Sequence, residues 1–127
     1  MHRFINPPTI SGPAASYSLA VQTTAASEWL HTSGIVGSRP DGSIGDTVAE
    51  QAGEIWRSMH TILHAGGFVA TDIVSYTTYV VLGHELAPVM AARDAALSGH
   101  RAASTLIVVP TLARAEWFVE IAVIAAR

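Results

Sequence analysis

The residue best placed to do chemistry is Glu120. It lies in the run Phe118-Val119-Glu120-Ile121-Ala122-Val123-Ile124, whose other members are apolar and largely β-branched, with no charge nearer than Glu116. A carboxylate buried alone in such a segment is costly unless something pairs with it. Glu120 therefore either faces solvent from the open side of a sheet or works in a cleft. In a cleft, burial or a fixed hydrogen bond suits it to act as a base or to position a water. The histidines come next. His60 and His64 are four apart on one helix face, a spacing that can hold zinc, yet no His-Glu-x-x-His pattern and no third ligand completes a site. A solvated helix face accounts for them, and no metal is expected. His31 reads as a cleft acid/base or as an exposed strand residue. No Ser-His-Asp spacing, phosphate loop or dinucleotide fingerprint is present, so no cofactor is expected. Trp29, Trp56 and Trp117 read as core or interface residues.

The elements that must position these groups can be read from periodicity. Residues 1–15, rich in Pro, Gly, Ser and Ala, read as an extended arm or loop. Tyr17–Thr23 alternates as a half-buried strand. Trp29–Val36 is a second strand, with Ser33-Gly34 inside it as a bulge or a close backbone approach. Pro40-Asp41-Gly42 is a turn. Thr47-x-x-Glu50 opens a helix as a capping box, Val48, Ala52, Ile55, Met59, Ile62 and Leu63 form its stripe, and Ala65-Gly66-Gly67 ends it. Ile73–Leu82 is a strand. A second helix over Glu85–Ser98 takes Pro88 in its first turn. Its stripe of Leu86, Val89, Met90, Ala96 and Leu97 is interrupted by Arg93, whose stem can lie along the core edge. Thr105–Val109 and Phe118–Ile124 are the last two strands. The order β-β-α-β-α-β-β, with hairpins at both ends, predicts an α+β fold: a mixed sheet with two helices on one face.

Bulk composition narrows the function classes. The 127 residues suit one domain, 1–127. Only 13% are charged, against roughly 25% in a typical soluble domain, so part of the surface is expected to be covered by another copy of the chain. A net charge of −3 and no basic cluster argue against nucleic-acid binding. There is no cysteine. No run has the length of a signal-peptide core or of a bilayer span. A cytoplasmic protein without membrane or nucleic-acid partners is the expectation.

Tyr17-Ser18, Ala20-Val21, Ser33-Gly34, Asp72-Ile73-Val74, Ala102-Ala103-Ser104-Thr105 and Val119-Glu120-Ile121-Ala122 occur in that order. In this the chain resembles the RidA/YjgF family of enamine/imine deaminases, from about Tyr17 to Ala125. The resemblance implies a homotrimer whose sheets pack into a central barrel, with small-molecule clefts between subunits. It implies a hydrolase acting on imines or enamines, with Glu120 as the catalytic carboxylate. Tyr17, Ser33, Gly34, Ser104 and Thr105 would line the cleft.

One position departs from the family. Its Pro-Ala-Arg-Ser/Thr segment carries an arginine that forks onto the substrate carboxylate, and Ser104 stands there instead. A serine hydroxyl cannot reproduce a bidentate guanidinium. Arg101, three residues earlier, would project to the opposite face of an extended strand, and Arg114 could reach a cleft from the connector. These two are the candidate replacements. A substrate other than the usual 2-imino acid, or a ligand-binding member without turnover, is the corresponding expectation.

Overall fold

A computed structural model describes residues 1–127. The elements are β1 (His2–Ile5), β2 (Ala20–Thr23), β3 (Trp29–His31), β4 (Ile35–Val36), α1 (Val48–Ala65), β5 (Ile73–Val81), α2 (Ala87–Leu97), β6 (Ala103–Val109) and β7 (Val119–Ala126). The main sheet runs β3-β7-β5-β6, with β4 continuing the line of β3 along β7. β5 and β6 are parallel, and β7 is antiparallel to β5, β3 and β4. This is the expected α+β mixed sheet with both helices on one face.

Both helix boundaries have local causes. Thr47 Oγ1 accepts the Glu50 N–H at 3.1 Å, while the Glu50 carboxylate reaches back one residue further than in the usual capping box, to Asp46 N at 3.0 Å. At the other end Phe68 N donates to Leu63 O and Gly67 N to His64 O, with Gly67 at φ 78°. That is a Schellman ending, with glycine at the left-handed position. α2 takes Pro88 in its first turn as expected. It is shorter than the predicted Glu85–Ser98 and closes on Ser98 at φ 47°, one residue before Gly99.

Several strand expectations need correction. Residues 2–5 are not loop: they pair with β2, His2 opposite Thr23 through Ile5 opposite Ala20. Tyr17 lies outside β2, and Ser18 instead bridges to Ala103 at the edge of β6. The Trp29–Val36 strand is two strands broken at residues 32–34. From His31 to Ile35 is four steps, while their partners Ile124 and Ile121 are three apart, so one extra residue is accommodated there. That extra residue makes the bulge expected at Ser33-Gly34. Neither terminal hairpin exists, because β2 pairs with β1 and β5 lies between β6 and β7. Runs adjacent in sequence share composition whether or not they pair, and only the crossover through α2 places β6 beyond β5.

The core lies between sheet and helices. Val119, Ile121, Val123 and Ala125 of β7 meet Tyr76 and Val80 of β5 and Ala52, Ile55, Met59 and Leu63 of α1, all at most 2% exposed. Each buried aliphatic side chain contributes about 1.5–3 kcal/mol. The alternate residues of β7, Glu120, Ala122 and Ile124, lie on the other, open face. Gln51 ties the two layers. Fully buried, it donates to Gly45 O and Glu116 O, both at 2.9 Å, and accepts Phe118 N at 2.8 Å. β7 is thus held to α1 two residues before Glu120.

Candidate functional site

The structure sorts the sequence-predicted residues into two groups on different faces of the sheet. The first is on the open face. Across the strands run two rows: Ile107, Tyr79, Glu120 and Val36, and beside it Thr105, Thr77 and Ala122. Glu120 is half-buried and accepts no hydrogen bond within the chain. Its carboxyl group lies directly over Gly34, where an added Cβ would sit 2.2 Å from Glu120 Oε2 and 2.7 Å from its Cδ. Gly34 is therefore the close backbone approach, and the bulge delivers it. Thr105 is exposed on the same side, as is His31, in register with Ile124, and Ser33 is exposed in the break between β3 and β4.

The second group borders a cavity of about 350 Å³ on the helix side of the sheet's free edge. β6 contributes Ser104 and Leu106, α2 contributes Met90 and Arg93, and the chain before β2 contributes Tyr17. The Tyr17 hydroxyl is turned onto its own loop, accepting Ala14 N at 3.2 Å. Ser104 is in register with the buried Tyr76 of β5. Burial pushes the Tyr76 hydroxyl above the ordinary phenol range, and the nearby Ser104 hydroxyl and Arg93 guanidinium hold it back in part. Neither forms an aligned hydrogen bond with it.

Arg101 and Arg114 do not enter this cavity. Arg101 is exposed at a separate small hollow with Ser16 and His100. Arg114 is exposed over the Trp117 ring, 5.5 Å from its centroid and 4.0 Å from Glu116. The cation at the cavity is Arg93, which sequence reading left as a core-edge stem. The signal was there: Val89, Arg93 and Leu97 recur every four residues, and all three are buried. His60 and His64 are exposed on α1, and nowhere do three His, Asp or Glu side chains converge.

The sheet with its two helices matches one known architecture. The family model described as Endoribonuclease L-PSP matches residues 9–127. The chain belongs to this family, the RidA/YjgF family. Its fold is similar to that of YyfB from Yersinia pestis, a Rid-family protein of unknown function. The two share 30% identity and a TM-score of 0.88, covering 99% of this chain and 98% of that one. A candidate endoribonuclease from Thermotoga maritima is 26% identical with a TM-score of 0.73, covering 100% and 98%. RidA from an Antarctic Psychrobacter has the same fold at 21% identity and a TM-score of 0.73, covering 98% and 99%. No curated protein matches the chain. No helix is long and apolar enough to cross a membrane.

Proposed function

We propose that the protein hydrolyses the C=N bond of a small imine, or of an enamine after tautomerisation, in clefts between the subunits of a homotrimer. The observation that carries this reading is the Glu120 carboxylate resting on the Gly34 backbone, with no partner of its own on an otherwise mostly uncharged face. Such a carboxylate can accept a hydrogen bond from a water and direct its oxygen at the imine carbon. The new C–O bond forms, the C–N bond breaks, the nitrogen leaves as ammonia and a carbonyl remains. All seven basic side chains are arginines, so no lysine amine is available to form a Schiff base with substrate, and water is the nucleophile. Within one chain Glu120 and the Tyr17–Ser104 cavity lie on opposite sides of the sheet. A second copy would bring one half of the cleft to the other.

Glu120→Gln should lower kcat/KM for imine hydrolysis by roughly 10²–10⁴-fold, read as ammonia release from freshly generated 2-aminoacrylate and a panel of uncharged imines. Unchanged turnover in that variant on every accepted substrate would sink the reading.

We read Ser104 as standing where the family carries its substrate-binding arginine, and an uncharged hydroxyl there supports a second reading, ligand binding without turnover. Saturable binding of imines with no acceleration of ammonia release would favour it. A ribonuclease reading lacks support: a net charge of −3 with scattered arginines provides no phosphate-tracking surface.

A further inference from the structure

The guanidinium of Arg93 is buried, 6% exposed, yet poorly partnered. Its one aligned hydrogen bond runs from Nε to Asp94 Oδ1 at 2.9 Å. Nη2 lies 2.9 Å from the same oxygen but out of alignment, and it is buried without a hydrogen bond. Asp94 is a neighbour in sequence with its side chain 45% exposed, so it engages the Nε side of the guanidinium from solvent. The rest of the fork lies near the Tyr76 hydroxyl without an aligned hydrogen bond to it, so both groups are left for a further partner. A fully paired structural arginine would not leave it so, since buried polar groups almost always find partners. The rest of the cavity explains what acceptor would suit. Leu86, Met90 and Leu106 make its wall apolar, while Tyr17 and Ser104 add hydroxyl-bearing side chains.

We propose that Arg93 is the anion-recognition residue of this cleft, gripping a small organic anion whose short apolar body packs on Leu86, Met90 and Leu106. The charge that Ser104 lacks on β6 is supplied across the cavity from α2. The two positions face the same space, so Ser104 makes room where an arginine side chain would crowd Arg93 and repel it. Of the seven arginines, Arg93 alone lines this cavity. Selectivity then rests on charge and on a small apolar volume, with the two-pronged geometry that only a guanidinium offers a carboxylate.

The inference rests on the cleft reading above, but its test is binding, not turnover. Calorimetric titration of the intact protein with 3-methyl-2-oxobutanoate and with its uncharged counterpart 3-methyl-2-butanone should show at least tenfold tighter binding of the anion. Arg93→Met, which keeps an apolar stem in the wall, should abolish that preference. Arg93→Lys should restore part of it. Equal binding of the two compounds by the unaltered protein, binding of neither, or a preference that survives in a folded Arg93→Met protein would each overturn the proposal. The comparison on the unaltered protein decides the matter even if the variant does not fold. Loss of turnover dependence on Glu120 with the anion preference intact would refute the hydrolytic reading alone.

Discussion

Glu120 and Gly34 act as a pair, since the carboxylate occupies the space where any other residue at position 34 would place its Cβ. Gly34→Ala forces the carboxyl group aside without touching the core, because the first atom it meets is the end of a flexible side chain. The expected outcome is a 10–100-fold loss of kcat/KM, consistent with the cost of misplacing a catalytic group by about 1 Å, and a melting temperature within a few degrees of the parent. A large loss of stability with turnover intact would show that the glycine serves the fold and not the carboxylate. Tyr76 offers a second test at this scale. Its hydroxyl is raised above the ordinary phenol range, chiefly by burial. The neutral form is therefore the one the fold favours, and that contribution is present below about pH 10 and lost as pH climbs through the raised value. Absorbance titration should show a late phase among the three tyrosines, and Tyr76→Phe should remove it.

At the scale of elements, Gln51 decides where β7 begins. Its amide satisfies two carbonyls and one N–H, so Gln51→Ala leaves three backbone groups to find water or remain unpaired. A loss of about 2–4 kcal/mol is expected from denaturant unfolding, in line with the cost of orphaning buried polar groups. Glu120, two residues from the Phe118 anchor, should lose activity along with it. On the proposed role of Arg93, α2 is amphipathic and functional at once. The buried line Val89, Arg93, Leu97 carries a cation where a leucine would serve packing alone. A buried, incompletely paired guanidinium costs stability, so Arg93→Met should hold or raise the melting temperature while it removes anion binding. That opposition of stability and binding marks a functional arginine.

For the whole molecule, the open face of the sheet poses a question of cover. Trp29 is 53% exposed and Ile107 41%, and Val36, Tyr79 and Ile124 share the same face. A sheet face of this composition is expected to pack against another copy. Under the proposed homotrimer with clefts shared between subunits, Ile107→Asp, in the row of Tyr79 and Glu120, should give monomers by light scattering and abolish turnover. A trimer that persists in this variant would place the subunit contact elsewhere.

Much of this was legible in the chain itself. Thr47 and Glu50 announced the start of α1, the paired glycines its end, and the stripe of Val48, Ala52, Ile55, Met59 and Leu63 the face it buries. These are local matters: caps, turns and periodicity depend on neighbours in sequence. Ser33-Gly34 was readable as a bulge, and Glu120 as a carboxylate out of place. Which strands pair was not readable, since β-branched runs are alike until α2 carries the chain over β5. For the same reason the place of Arg93 at the cavity escaped the sequence, where it interrupts a stripe, while Arg101 and Arg114 lie nearer Ser104 along the chain. Distance along the chain says nothing about a cavity assembled from β6, α2 and the loop before β2. Local sequence determined the elements and the odd residues within them; long-range packing alone decided that Glu120 rests on Gly34 and that the cation opposite Ser104 comes from a helix.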